Sequence, residues 1–194
     1  FYVNPLEVDP EASHKDKRKE HVLPVRPQWF GCACCPPNLA RLTTSLAKYM
    51  FTLSENEIYM NLYAQAEADL KLGDKHVTLK CGTDYPVSGE IVLHPGAGKY
   101  ALCLRIPGWA KTYSIKLNGE SIDAAVEYGY ARIEREFKDG DVIALSLPMQ
   151  PRRVYANPHV RADIGKVAIM RGPIVYCLEQ VDNGALVDAL CLTR

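Results

Sequence analysis

The chain has 194 residues, 47% of them apolar, and its 23 basic side chains balance its 23 acidic ones. Such a neutral balance excludes the basic footprint of a nucleic-acid or anionic-membrane binder, and no apolar run reaches the length of a membrane span. The length suits one large domain, or a piece of one joined to a smaller domain.

Residues 1–30 carry no clear hydrophobic period. Phe1-Tyr2-Val3-Asn4-Pro5-Leu6 reads as a strand-like or buried segment, with no initiator Met before it. The expectation is a fragment of a longer protein, whose N-terminus and targeting signal lie outside this sequence. The stretch 11–21 (EASHKDKRKEH) is strongly charged and reads as an exposed loop. Pro24, Pro27 and Gly31 then punctuate a turn-rich approach, with Trp29-Phe30 as an apolar anchor.

Pro36-Pro37-Asn38 opens a helix, because proline is tolerated in the first turn, where the backbone N–H has no intrahelical partner. Leu39, Leu42, Leu46, Tyr49 and Met50 follow at spacings of three and four, which predicts about four turns packed on a core and ending near 51–54. The period then changes to two. Strands are predicted over 57–63, 67–72, 76–81, 90–94, 100–106, 112–117, 128–135, 141–147 and 167–178. Turn signals fall between them at Gly73-Asp74, Pro95-Gly96, Pro107-Gly108, Asn118-Gly119 and Asp139-Gly140. Connections this short exclude crossover helices, so the strands should be antiparallel, in a sandwich or jelly roll. The fold class is therefore mainly β. The domain boundary falls near residue 55, giving segments 1–55 and 56–194.

Seven cysteines are present: Cys32, Cys34, Cys35, Cys81, Cys103, Cys177 and Cys191. The count is odd and the last four stand singly in apolar runs. That pattern predicts buried, reduced thiols and a reducing, cytoplasmic location rather than a disulfide framework.

The chemistry-bearing segment is Gly31-Cys32-Ala33-Cys34-Cys35-Pro36-Pro37-Asn38. Adjacent cysteines bridge each other only at the cost of a strained ring. Two thiolates on one soft cation use the spacing better, and zinc takes Cys, His and carboxylate ligands in a tetrahedron. Cys34 and Cys35 would fill two corners. Cys32, His14, His21 and glutamates are further donors, but no second CxxC or HxxxH pair exists. A helix start also lowers a neighbouring thiol pKa, so a nucleophilic role is open. On spacing alone three readings stand: buried core thiols, a structural metal site, and a catalytic or redox site.

The segments Phe1–Glu7, Trp29-Phe30 and Cys34-Cys35-Pro36-Pro37-Asn38-Leu39-Ala40-Arg41-Leu42 strongly resemble the beta-L-arabinofuranosidase family of glycoside hydrolases. Tyr59-Met60-Asn61-Leu62-Tyr63 and Arg171-Gly172-Pro173-Ile174-Val175-Tyr176 fit the same family. The resemblance implies the end of an α/α-barrel catalytic domain, followed by β-sandwich. It implies Cys34 as a zinc-bound nucleophile, Cys35 as a zinc ligand beside it, and retention through a thioglycosyl intermediate. A further Cys, a Glu ligand and the acid/base Glu would come from upstream barrel sequence. The chain alone is then expected to be inactive towards its substrate, an L-arabinofuranoside or related sugar. Tyr2, in the family-like opening, is the substrate-binding candidate, with a buried structural role as its alternative.

Cys32 reads as a packed thiol, Asn38 as a buttress of the cysteine turn, and Trp109 as cover for a sandwich edge. Two rival readings remain. One is a non-catalytic carbohydrate-binding or structural sandwich, for which an exposed aromatic row would favour binding and a covered face bracing. The other is a metal or redox site without glycosidase chemistry.

Overall fold

In a computed structural model, described over residues 10–19, 34–184 and 187–192, the chain divides into two compact units, Phe1–Tyr49 and Met50–Arg194. The first holds helix α1 (Pro10–Lys15), a 3₁₀ turn over Lys17–Lys19, and helix α2 (Cys35–Thr44); helix α3 (Ala47–Met50) closes it. The charged stretch read as a loop thus contains a short helix. Lys15 bonds Glu11 one turn back, the i,i+4 pairing that supports an exposed helix. Arg18 grips Asp16 through two guanidinium nitrogens at 3.0 Å each.

The helix predicted from Pro36 is broken into α2 and α3 at Ser45-Leu46. The cause is a run of hydroxyls that bond backwards into the helix. Thr43 and Thr44 Oγ1 both donate to Ala40 O at 2.9 Å, and Ser45 Oγ donates to Arg41 O at 2.6 Å. Such back-bonds compete for the carbonyls the helical ladder needs. Among the described residues the predicted core contact is not seen. Leu39, Leu42, Leu46 and Tyr49 are 44–56% exposed, and only Met50 is buried. The apolar stripe exists as read, but nothing among the described residues covers it.

The second unit is mainly β. Among the described residues, fourteen strands form three sheets. The first sheet has the order β1-β2-β6-β10-β9: β1 (Phe51–Leu53), β2 (Glu57–Met60), β6 (Gly98–Arg105), β10 (Tyr130–Phe137) and β9 (Val126–Glu127). The second has the order β3-β4-β5-β11-β7-β8: β3 (Ala66–Leu72), β4 (Lys75–Thr83), β5 (Glu90–Pro95), β11 (Ile143–Ser146), β7 (Ser114–Leu117) and β8 (Glu120–Ile122). Their inner faces share one core. Ile58, Met60, Leu102, Leu104 and Phe137 of the first sheet pack with Leu79, Ile91, Leu93, Ile143 and Leu145 of the second. Alternation drives this: β5 reads exposed-buried throughout, and Ile91, Leu93 and Pro95 are its buried positions.

Pairing is antiparallel as predicted, with one exception: β2 runs parallel to β6. Between them the chain crosses to the second sheet, runs β3, β4 and β5, and returns, so the long excursion permits a parallel neighbour. The third sheet is β12 (Pro151–Val154), β13 (Ala168–Arg171) and β14 (Ile174–Tyr176). The stretch 167–178, read as a single strand, is therefore a hairpin. Gly172, at φ +56°, turns it before Pro173. A Cβ there would sit 2.8 Å from Met149 Sδ, so the turn is pressed against the chain leaving the second sheet. After it come helix α4 (Gln180–Asn183) and a 3₁₀ turn over Val187–Ala189.

The cysteine expectation is half corrected. Cys81 and Cys103 are buried, but Cys177 and Cys191 are exposed, because the segments carrying them leave the core. Burial pushes the Cys81 thiol up to about 11, so it stays protonated and inert.

Candidate functional site at the start of α2

Cys34 is the N-cap of α2, and its side chain makes no capping hydrogen bond. The local sequence explains this. The nitrogens that usually serve a cap residue are those of the second and third helical positions. Here they belong to Pro36 and Pro37 and carry no hydrogen. The helix is closed instead by Asn38 N–H donating to Cys34 O at 3.3 Å. The same prolines remove donors that would attract an anion and repel a cation at a helix start. This end is therefore tolerant of a cation in a way that most helix starts are not.

Cys34 is exposed and Cys35 half-buried. Their sulphurs lie 3.8 Å apart, far beyond a disulfide bond. Two zinc–sulphur bonds of about 2.3 Å, meeting at the tetrahedral angle, separate their sulphurs by about 3.8 Å. The separation of the pair thus matches that of two corners of a zinc tetrahedron. Among the described residues no group of three His, Cys, Asp or Glu side chains could hold a metal ion. His14 is exposed, and Glu11 is engaged by Lys15. Tyr2, Cys32 and His21 lie outside the described residues. The described residues bring together Cys34 and Cys35, and only those two of the site residues read from the sequence.

A feature that sequence reasoning missed lies one turn on. Arg41 Nη2 donates to Asn38 Oδ1 at 2.6 Å. The two residues are three apart on one helix face, a spacing that could have suggested the contact.

The second unit offers fewer candidates. Trp109 is half-buried and packs against the core beside Tyr85, as an edge cover does. His76 pairs across strands with Asp69 at 3.1 Å, both exposed. The first sheet's outer face carries Tyr59 and Tyr130, whose rings meet edge to face at 5.2 Å. Both hydroxyls are engaged: Tyr59 Oη donates to Glu57 Oε2 at 2.5 Å, and Tyr130 Oη to Asn61 Oδ1 at 2.7 Å. The Tyr59 hydroxyl is pushed up to about 12, first by that carboxylate. Arg132 completes the face, bonding Glu57 at 2.9 Å and Glu134 at 2.7 Å. These rings meet edge to face, with their hydroxyls held by polar neighbours, and so do not line up as a flat row.

Comparison with known proteins accounts for nearly the whole chain. The family description "Beta-L-arabinofuranosidase, GH127 catalytic domain" matches residues 1–48, the GH127 middle domain residues 57–149, and the glycoside hydrolase family 127 C-terminal domain residues 151–194. A non-reducing end beta-L-arabinofuranosidase of Bifidobacterium longum subsp. longum is 37% identical over 192 residues, covering 94% of this chain and 29% of that protein. A solved GH127 beta-L-arabinofuranosidase from Geobacillus stearothermophilus T6 superposes with a TM-score of 0.87 at 46% identity, over 95% of this chain and 30% of that one. A second solved GH127 beta-arabinofuranosidase gives 0.77 at 40% identity, over 81% of this chain and 28% of that one. The chain spans less than a third of the length of each of these relatives.

Proposed function

Given that the chain belongs to glycoside hydrolase family 127 and forms a C-terminal portion of that fold, we propose that it serves a retaining hydrolase of β-L-arabinofuranosides. In this reading 1–55 ends an α/α-barrel catalytic domain, and 56–194 is sandwich of jelly-roll type. Cys34 is the nucleophile, and Cys34 and Cys35 are ligands of one zinc ion. Tyr2 lines the sugar pocket, and the odd number of cysteines supports a reducing, cytoplasmic location.

The observation that carries the reading is the 3.8 Å sulphur pair at a helix start that lacks the backbone donors of its second and third positions. Bound there, zinc would act as a Lewis acid that keeps both sulphurs deprotonated at neutral pH. The chain's own residues then divide the work. Cys35, half-buried, anchors the turn, while exposed Cys34 faces the sugar. The Cys34 sulphur forms a bond to the anomeric carbon as the bond to the leaving oxygen breaks. That oxygen takes its proton from a glutamic acid supplied by the barrel outside this chain. Water, giving a proton to that same glutamate, now a carboxylate, then attacks the same carbon and returns the electron pair to sulphur, giving retention.

The rival reading, a carbohydrate-binding sandwich, calls for an exposed aromatic row, and on the outer face of the first sheet Tyr59 and Tyr130 meet edge to face instead. The test is hydrolysis of an aryl β-L-arabinofuranoside. A longer polypeptide carrying the upstream barrel sequence should be active, and its Cys34→Ser variant should lose at least ~10³-fold in kcat. The 194-residue chain alone should be inactive. Full activity in the Cys34→Ser variant would remove Cys34 as the nucleophile.

A further inference from the structure

Two hairpins of the sandwich turn on the same backbone geometry with different residues. In the β7–β8 hairpin Leu117 faces Glu120, and the turn is Asn118 at φ +51° and Gly119 at +89°. In the β9–β10 hairpin Glu127 faces Tyr130, and the turn is Tyr128 at φ +51° and Gly129 at +84°. Two positive φ values in a two-residue loop select Asn-Gly, because asparagine tolerates the left-handed region and bulky side chains are strained there. Asn118 is the residue this geometry calls for, and Tyr128 is the outlier.

Among the described residues nothing offsets that strain. Tyr128 is 101% exposed, so its ring has no packing partner. Next to it β9 ends the order of the first sheet, so its outer edge is unpaired among the described residues, and Val126 there is also exposed. An aromatic ring beside an open strand edge suits a polypeptide, whose backbone can meet the edge while its side chains cover the ring. Strain held at an exposed position points to a use for it.

Strand register places the turn. Phe51, Met60, Leu104 and Ala131 form one row across four neighbouring strands. Beyond that row Ile106 N–H donates to Gly129 O at 2.8 Å. Tyr128 therefore stands at the end of the sheet where β1 begins, three strand spacings or about 15 Å across from Phe51. Sequence N-terminal to Phe51 is tethered at this end, which raises its effective concentration there. The chain accounts for only 29% and 30% of the length of two of its relatives.

We propose that Tyr128 is a docking residue for the protein's own upstream sequence: the strained turn holds the ring clear of the sandwich, and a surface of that sequence closes over it. The proposal rests on the chain being part of a longer protein and not on the chemistry assigned to Cys34, so either can fail alone.

The test is the melting temperature of Tyr128→Asn in two contexts. In the 194-residue chain the variant restores the favoured turn, and the sandwich should melt about 2–4 °C higher. In a longer polypeptide carrying the upstream sequence it removes the docked ring, and the sandwich should melt lower than with tyrosine. Hydroxyl-radical footprinting of the unsubstituted proteins, read by peptide mass spectrometry, gives a second readout. Tyr128 should be oxidised readily in the 194-residue chain and protected in the longer polypeptide. An equal gain in both contexts, no gain in the 194-residue chain, or equal oxidation in both would overturn the proposal. So would protection supplied by an arabino-oligosaccharide and not by the upstream sequence.

Discussion

Asn118 shows how one side chain can hold a turn and a buried charge together. It lies at φ +51°, ahead of Gly119 at +89°, in the turn joining β7 to β8. Its Nδ2 donates to Asp141 Oδ1 and its Oδ1 accepts from Val142 N, both at 2.8 Å. Asp141, buried at 6% exposure, also accepts from Lys138 N at 3.0 Å. Asn118→Ala removes two hydrogen bonds and leaves a Cβ residue in the left-handed region. The expected loss is about 2 kcal/mol in a urea titration, with Asn118→Gly recovering roughly half of it.

The same bonds set a pH dependence. Asn118, then Lys138 N, hold the Asp141 carboxyl below its ordinary range, and Tyr59, then Arg132, do the same for Glu57. Both carboxyls bind protons more weakly in the folded than in the unfolded chain. Their stabilisation is complete above the ordinary carboxylate pKa and is lost as pH falls through the depressed folded values. The melting temperature of the second unit should be flat from about pH 8 to about pH 6 and should fall below about pH 4. Asp141→Asn should flatten that fall, and an unchanged acid limb would refute the assignment.

At the scale of elements, the second sheet depends on close backbone approach. A Cβ at Gly89 would lie 1.9 Å from Leu147 O, whose N–H donates to Gly89 O at 2.9 Å. Gly89→Ala must push β5 away from the strand edge beyond β11, and should cost at least ~2 kcal/mol by the same titration. In the first unit, replacing Thr43, Thr44 and Ser45 by alanine removes the back-bonding hydroxyls. The far-ultraviolet helical signal should rise as α2 and α3 join. No rise would mean that the break has another cause.

Legibility in the amino-acid sequence differs from element to element for physical reasons. Strands with one buried face, such as β4, β5 and β10, are readable because burial imprints a period of two. The short strands β1, β8, β9 and β12 are not, since two to four residues carry no period. The β13–β14 hairpin hides because both arms are apolar and read as one run, although Gly172-Pro173 carries a turn signal between them. At the site, the paired cysteines and prolines are legible as a motif. The Asn38–Arg41 bond is not, because spacing permits a contact without showing which side chains make it.

For the whole molecule, the two units answer different demands. The sandwich core is complete, with Ile58, Leu102, Leu104, Phe137 and Leu145 all at or below 1% exposure. It should unfold cooperatively whether or not Cys34 and Cys35 are intact. The first unit has an apolar stripe that no described residue covers, and among its described residues no group of three His, Cys, Asp or Glu side chains could hold a metal ion. In the proposed reading the remaining zinc ligands come from outside the described residues, while the 3.8 Å sulphur pair is spaced as two corners of a zinc tetrahedron would be. The most direct test is elemental analysis of a longer polypeptide carrying the upstream barrel sequence, beside its Cys34→Ser, Cys35→Ser double variant. The expected result is close to one zinc per molecule, lost in the variant while the sandwich still melts normally. Stoichiometric zinc retained without both sulphurs would contradict the assignment of Cys34 and Cys35 as its ligands.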